Sequence, residues 1–447
     1  MPILPGLRFF WARSRSYAAQ FTSGGRWSTE YPRPIRRNLR WFFFDGVFAA
    51  ASEAVSATYM SLYLLALGAT SAQIGLLSAF SNLAAALTLL PGALLADRTG
   101  KRKRIVLISG GGVSRIALLC LAILPFLLPY PAVVYVAILL RVIIDGSNNL
   151  AMPAWTSLIA DMVPIEGRGR YFGARNLSMG VATILVTYFA GQLITSIGGL
   201  RGYQIAFGFA FLIGLVATYC YARIQEPPIE KRVTTRFAPL LKSYYDAIRL
   251  DRNFLAYCLQ TSLFHISLYI AAPFFNVYLV QNLQASAVMV GILSIVTSIS
   301  GIPFQSIFGH LSDKWGPRRV QLITGFLVPI LPLTWLLVSE PWQVVPINVL
   351  SGIFWAGYSL AAFNFLLVLA PPGAQAHYMA IFQLTVVLSS AIGSFLGGMV
   401  VSYWGILFTF AASGIGRFIA AFIYAQFVKN PQPALQVDLP SPPSTTP

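Results

Sequence analysis

The chain carries one short basic pattern twice. The first copy is LLADRTGKRK, residues 94–103, and the second is GHLSDKWGPRR, residues 309–319. Each copy contains an acid, a glycine three residues later and several Lys or Arg, and each stands between two long apolar stretches. Apolar stretches of about 20 residues are the length of a bilayer-spanning helix, so the two copies indicate loops that join such helices.

The composition around these loops excludes a soluble protein. Hydrophobic residues make up 56% of the 447 residues and charged residues 10%, whereas soluble domains carry about 25% charged residues. The formal net charge is nevertheless +17, from 31 Lys and Arg against 14 Asp and Glu. Few charges with a large positive excess predict uncharged spans separated by basic connections. A soluble enzyme, a disordered protein and a secreted disulfide scaffold are excluded.

Twelve stretches are apolar and long enough to cross a bilayer, which predicts an all-α polytopic membrane protein with twelve transmembrane helices. The predicted spans are 41–67, 72–96, 105–128, 132–160, 176–196, 203–224, 254–280, 286–311, 320–338, 342–370, 378–402 and 405–428. They form an N-terminal six-helix bundle (41–224) and a C-terminal one (254–428). A basic N-terminal tail (1–40), a cytoplasmic linker (225–253) and a disordered C-terminal tail (429–447) complete the predicted organisation.

The basic residues lie almost entirely on one predicted side of the membrane. With the N-terminus inside, 27 of the 31 Lys and Arg fall on the cytoplasmic side, and Arg201 alone falls on the other. This distribution predicts cytoplasmic termini in a plasma or inner membrane protein. The charge therefore reports topology and contact with membrane lipids, and no nucleic-acid partner is expected. The alternative for the Arg-rich first 40 residues is an organelle transit peptide.

The two predicted bundles are related in sequence. Residues 74–78 (IGLLS) match residues 290–294 (VGILS), and the same offset relates the two basic loops. Duplicated halves around a central linker are a common plan of secondary transporters, whose site lies near the bilayer midplane between the halves. We therefore expect two pseudo-symmetric bundles around a site for a small-molecule substrate.

The two basic loops resemble the signature loop of the major facilitator superfamily, and the resemblance covers about residues 38–428. It implies a monomeric twelve-span secondary transporter in which these loops form a gate that stabilises the outward-open state. The alternative is that Asp97 and Asp313 only cap helices. The candidate gating residues are Gly92, Asp97, Arg98, Gly100, Arg102, Gly309, Asp313, Gly316 and Arg318.

Other motifs are missing from the sequence. It contains no Walker loop, metal-ligand cluster or nucleophile elbow, so an ATP-driven pump or a membrane hydrolase is not expected. We therefore predict no enzyme activity, no metal and no other cofactor. The fifth span also lacks the Gly-Pro-Gly-Gly signature of the superfamily's drug/proton antiporters.

Charged side chains inside the spans are the candidates for function, because each costs about 2.5–3.5 kcal/mol at a helix centre. At a rise of about 1.5 Å per residue, Glu53 and Arg141 lie at nearly the same depth. Arg141, Asp145 and Asn148 share one face of the fourth span, as Asp45 and Glu53 do in the first. We expect Glu53 to bind a proton or a cationic substrate group, with Arg141 as its counter-charge. The alternative is a permanent ion pair that joins helices.

In the C-terminal half, the candidates are polar and aromatic. His265, Tyr269 and Asn276 are predicted to share one face of the seventh span. Arg115 and Arg417 lie in spans that the superfamily places peripherally, which implies structural or snorkelling roles. The candidate substrate- or proton-binding residues of this half are Gln260, His265, Tyr269, Trp355 and Asn364.

Together these features predict a secondary transporter that moves a small solute by alternating access and is linked to protons. An uncoupled facilitator is the alternative within this class. A membrane receptor without transport, or a lipid scramblase, is the alternative from a different class. The substrate and the direction of transport stay open.

Overall fold

Helices joined by short connections make up the described structure, a computed structural model that covers residues 22–23, 25–226, 251–371 and 375–430. Much of the predicted N-terminal tail, linker and C-terminal tail lies outside these residues. The helices are α1 Arg33–Ala66, α2 Ser71–Thr99, α3 Arg102–Leu127, α4 Ala132–Met162, α5 Arg168–Ile197, α6 Gly199–Ala222, α7 Arg252–Gln281, α8 Ala287–Trp315, α9 Pro317–Leu337, α10 Val344–Leu369, α11 Gln375–Trp404 and α12 Ile406–Phe427. Three of them are interrupted: α3 by a π turn at Ser109–Val113, α7 by a 3-10 turn at Ala272–Phe274, and α9 after Leu327.

The predicted fold class is confirmed. Eleven of the described helices are long and apolar enough to cross a membrane. The remaining helix, α1, has 34 residues and carries Asp45 and Glu53 in its central part, and these acids lower its mean hydropathy. Its length is ample for a span, since about 20 residues cross the hydrocarbon core.

Two helices begin earlier than the apolar windows predict. Helix α1 starts at Arg33 rather than residue 41, with Pro34 in its first turn, and α5 starts at Arg168 rather than residue 176. Hydropathy detects only the part of a helix that matches the bilayer, whereas a helix continues into the polar layer as long as its backbone hydrogen bonds continue. As a result Arg175 belongs to α5 and not to a basic connection.

The two bundles repeat the same packing. Helix α1 packs on α5 and α6 as α7 packs on α11 and α12, and α2 packs on α4 as α8 packs on α10. Between the bundles, α2 packs on α11 and α8 packs on α5. Each contact therefore has a partner in the other half, which confirms the pseudo-symmetry that the sequence repeat predicts.

The bundles touch at one end. We call the membrane face with the start of α1 the termini side and the opposite face the far side. On the far side, a Cβ at Gly75 would lie 2.8 Å from Cα of Gly398, and the Oγ atoms of Ser78 and Ser394 are 2.8 Å apart. A Cβ at Gly191 would likewise lie 3.1 Å from Cα of Val288. Glycine is needed at these positions because backbones approach each other there.

The bundles are separated on the termini side. The face of α5 that meets α8 through Gly191 continues back along the helix through Gly180, Gly173 and Gly169. A Cβ at any of these three glycines would meet no atom within 4 Å. The structure is therefore closed on the far side and open on the termini side.

We predict that Gly75→Ala destabilises far-side closure, because the added Cβ would force α2 and α11 apart. Gly180→Ala is the matched control, since it adds the same methyl group to a helix facing open space. Spin labels at Tyr130 and Tyr403, which are exposed at the far side in different bundles, report the separation. Longer distances are expected in Gly75→Ala alone. Identical distance distributions in both variants would contradict the interpretation of the glycine contact.

Candidate functional site

Arg141 joins two carboxylates inside the N-terminal bundle. Its Nη2 lies 2.8 Å from Oδ1 of Asp145 and 3.1 Å from Oε1 of Glu53, and its Nε donates to Oδ2 of Asp145 at 3.0 Å. Arg141 and Asp145 are one turn apart on α4, whereas Glu53 comes from α1. The structure thus brings together Glu53 and Arg141, which the sequence predicts at one depth, and Asp145, which it predicts on the same face of α4 as Arg141.

The cluster contains more acids than bases, and its members differ in solvent exposure. One guanidinium faces two carboxylates, so the formal charge is negative when both acids are ionised. The Glu53 side chain is 41% exposed, against 19% for Asp145 and 13% for Arg141. Arg141 thus holds Asp145 through two contacts and Glu53, the more accessible acid, through one.

A cavity of about 410 Å³ adjoins the cluster within the N-terminal bundle. It lies between α1, α3, α4, α5 and α6, and Glu53 forms part of its wall. The predicted site residues Asp45 and Asn148 also line it, so the two polar stripes meet as expected. The further charged residues on its wall are Arg115 and Arg175.

Arg175 is a cavity residue that the sequence interpretation missed. It is buried, its Nε donates to the carbonyl oxygen of Phe42 at 3.2 Å, and its guanidinium lies 4.1 Å from the centre of the Phe42 ring. The signal in the sequence is the helical spacing, because Tyr171 and Arg175 are one turn apart. In the structure both residues are buried. Assigning the stretch to a basic connection hid this pattern.

Arg115 lines the same cavity from α3. Its Nη1 donates to Oγ of Ser52 on α1 at 3.0 Å, and Ser52 donates to the carbonyl oxygen of Ala210 at 2.7 Å. A side chain that snorkels would instead run to the membrane surface. Arg115 therefore joins three helices around the cavity, which is a structural role rather than a snorkelling one.

The two basic loops are each fixed within their own bundle. Arg102 is buried and forms ion pairs with Asp161 at the end of α4 and with Glu226. Arg318 donates to the carbonyl oxygens of Val428 at 2.6 Å and Ala425 at 2.9 Å, at the end of α12. These contacts anchor the loops and place their acids at the opening.

The other gating residues fall into two groups. Gly100 (φ 62°) and Gly316 (φ 81°) adopt left-handed backbone that favours glycine, and Gly92 packs against the backbone of α4, unlike Gly309. By contrast, Asp97, Arg98 and Asp313 are exposed. Within the described ranges these three side chains form no ion pair and no hydrogen bond to another side chain. They are therefore available to a partner that approaches when the opening closes.

The predicted residues of the C-terminal half separate into different places. His265 and Trp355 line a cavity of about 300 Å³ between α7, α10 and α11, and Tyr269 is half-buried one turn beyond His265. Asn276 lines another cavity, because the turn at Ala272–Phe274 interrupts α7. The single face predicted for the seventh span is thus split into two.

Two predicted site residues lie away from these cavity walls. Gln260 is buried among Phe264, Gln321 and Tyr358, on the side of α7 that packs inside its own bundle. Asn364 donates from Nδ2 to Oγ of Ser312 at 3.4 Å and so joins α10 to α8. Both residues were candidates because they are polar residues inside predicted spans. In the structure, helix packing directs their side chains to the interior of the bundle.

Two six-helix bundles that meet on one face, open on the other and enclose charged cavities define a polytopic membrane transporter. The chain matches the model of the MFS_1 like family over residues 37–412 and therefore belongs to the major facilitator superfamily. Its members act as transporters, so the prediction that this protein is not an enzyme is confirmed.

Two relatives by sequence are named for multidrug resistance, and one of them is named as an efflux pump. The multi-drug resistance efflux pump PmrA of Streptococcus pneumoniae serotype 4 is 25% identical over 389 residues, which cover 85% of this chain and 92% of PmrA. The multidrug resistance protein MdtG of Salmonella typhi is 24% identical over 334 residues, covering 72% of this chain and 78% of MdtG. The similarity thus extends through both bundles.

Solved structures share the fold at low sequence identity. The nucleoside transporter NupG superposes with a TM-score of 0.72 at 14% identity, covering 87% of this chain and all (100%) of that chain. A bacterial homolog of the human lysosomal transporter Spinster, inward-facing and unoccupied, superposes with a TM-score of 0.69 at 18% identity and covers 90% of this chain and 100% of that chain.

We predict that Arg141→Gln destabilises the protein more than Glu53→Gln does. Removing Arg141 leaves two carboxylates without their counter-charge, and breaking a buried ion pair in this way costs about 3–5 kcal/mol. Glu53→Gln removes a half-exposed acid while the Arg141–Asp145 pair persists, at a cost of about 1 kcal/mol or less. Thermal unfolding of the purified variants in detergent measures the difference. Equal destabilisation would show that the two carboxylates are not organised around Arg141.

Proposed function

We propose that this protein is a secondary transporter that moves a small solute by alternating access and couples the movement to a proton at Glu53. The observation that carries the proposal is the Arg141 cluster, in which one guanidinium serves two carboxylates. Its more exposed member, Glu53, forms part of a cavity wall. A cluster of this composition accepts one proton and still retains an ion pair.

The proposed coupling follows from solvation. In the open state, water reaches Glu53 and stabilises its charged form. When the opening closes, water is excluded from this part of the cavity, and a carboxylate that loses water favours the protonated form. Rocking of the bundles that changes the access of water to Glu53 therefore changes proton occupancy, while the pair of Arg141 with Asp145 persists within its bundle. Because the coupling is reciprocal, proton binding also biases the position of the bundles.

The proposed gate consists of Asp97 and Asp313. Both acids are exposed at the open side, on loops that Arg102 and Arg318 hold in place. On closure, Asp97 approaches the start of α11, where a helix N-terminus stabilises a carboxylate. The equivalent contact for Asp313 is the start of α5. These contacts stabilise the state that is closed on the termini side and open on the far side.

The orientation and the cellular setting follow from charge. Basic residues concentrate on the termini side, which the positive-inside rule places in the cytoplasm. We therefore assign the described conformation as inward-open, and we place the protein in the plasma or inner membrane as a monomer with cytoplasmic termini. The names of PmrA and MdtG support export as the first direction to test.

The decisive experiment is transport by purified protein in proteoliposomes under an imposed pH gradient. Aromatic cations, anions and neutral compounds are first screened by thermal shift, because ligand binding stabilises the native state. With a solute found in this way, Glu53→Gln is expected to remove the stimulation of flux by the gradient while solute exchange without a gradient continues. Glu30→Gln, which removes an exposed acid at the start of the fold, is the matched control and retains stimulation.

Each alternative has its own outcome in this experiment. Flux that ignores the pH gradient in the unmodified protein identifies an uncoupled facilitator. Binding without any solute flux supports a receptor, and lipid flip-flop without solute flux supports a scramblase. Full gradient stimulation in Glu53→Gln would leave transport intact but would remove Glu53 from the proton pathway.

A further inference from the structure

Arg417 is a buried cation with an incomplete set of partners. The residue is 2% exposed and lies in the middle of α12. Its Nη2 donates to Oγ of Ser413 at 2.7 Å, one turn earlier on the same helix. Its Nε has no hydrogen-bond partner within the described part of the chain. Within the described residues, this charged guanidinium thus donates to a neutral hydroxyl rather than to a carboxylate.

The arginines of the N-terminal bundle have acids beside them. Arg141 binds two carboxylates, and Arg115 and Arg175 share a cavity wall with Asp45 and Glu53. Between residues 252 and 428, by contrast, the sequence has two acids, Asp313 and Glu340. Both are exposed at the ends of helices or in connections. The buried charge of Arg417 therefore lacks the compensation that the other bundle provides.

Burying an uncompensated charge is unfavourable, so the retention of such a group needs a reason. His265 and Tyr358 are titratable side chains close enough to Arg417 for an electrostatic interaction, and neither is a carboxylate. An arginine with a free Nε presents a donor pattern that matches a carboxylate. The missing partner is thus an anion from outside the chain.

A cavity of about 360 Å³ contains Arg417 and is large enough for a small organic molecule. It lies between α7, α8, α9, α10 and α12. Neutral polar groups and aromatic rings share its wall, and Trp355 also borders the cavity that His265 lines. The wall residues that define its chemistry are Asn276, Asn348, Ser351, Phe275, Trp335 and Trp355.

Depth distinguishes a solute from a lipid. Arg417 is the twelfth residue of the 22-residue helix α12, so it lies about 15 Å from either end of that helix. Headgroups of lipids stay at the membrane surface and do not reach this level. A single guanidinium, without a second cation on the wall, also suits one negative charge better than two.

We propose that the cavity around Arg417 binds the carboxylate of a small organic monoanion whose aromatic or apolar body lies against Trp335 and Trp355. The proposal rests on the proposed transport function only in treating this anion as the transported solute. Binding itself is measured without transport, so failure of one leaves the other testable.

The experiment compares three probes in calorimetric titrations of the full chain in detergent. Benzoate carries the expected carboxylate and ring, benzamide has the same shape without charge, and inorganic phosphate represents a simple anion. Benzoate is expected to bind, with benzamide and phosphate at least tenfold weaker. Arg417→Met is expected to weaken benzoate tenfold to a hundredfold, because a charge-assisted bidentate contact is lost. Arg201→Met, which removes an exposed arginine from the other bundle, leaves benzoate affinity unchanged.

Stability without ligand separates binding from a structural role. Removal of an uncompensated buried charge is expected to raise the melting temperature of ligand-free Arg417→Met above that of the unmodified protein. Arg417→Lys, which keeps the charge but not the planar donor pattern, folds and binds benzoate with intermediate affinity. A lower melting temperature in Arg417→Met, equal benzoate affinity in it, preference for phosphate, or absence of benzoate binding to the unmodified protein would each overturn the proposal.

Discussion

The pairing of Arg141 with Asp145 and Glu53 is the interaction on which the N-terminal bundle depends. In a medium of low dielectric, a charge without a partner is far more costly than in water, so the cluster fixes α1 against α4 at one depth. The same cluster carries an excess acid, and that acid is its most exposed member. Stability and proposed proton binding therefore come from one arrangement: Asp145 keeps the arginine paired, and Glu53 is the acid to which we assign the proton.

The two bundles share their packing but not their charges. Contacts between helices repeat from one half to the other, as the sequence repeat requires. The N-terminal bundle nevertheless contains a cavity with acids and arginines, whereas the cavity of the C-terminal bundle has Arg417 among neutral and aromatic side chains. Backbone symmetry alone thus does not determine what each half binds. The two proposals together assign the proton to the acid-rich half and the solute to the half with the uncompensated arginine.

Features that depend on helical geometry were predictable from sequence, and features that depend on tertiary packing were not. Span positions, the repeat and the common level of Glu53 and Arg141 follow from the length, period and rise of a helix. Arg175 was missed because α5 continues beyond its apolar window, and Asn276 was misplaced because α7 is interrupted before it. Burial of Arg417 without a carboxylate is visible only when five helices are assembled around it.

The contacts between the bundles explain how such a structure can have two states. On the far side the bundles meet through small residues such as Gly75 and Gly398, where close backbone approach provides many weak dispersion contacts and few hydrogen bonds. On the termini side Arg102 and Arg318 bind within their own bundles, so opening does not break these strong contacts. Strong interactions therefore stay inside each bundle and weak ones join the two. This division lets the bundles move as rigid bodies, and it keeps the free-energy difference between the two states small enough for a proton or a solute to reverse.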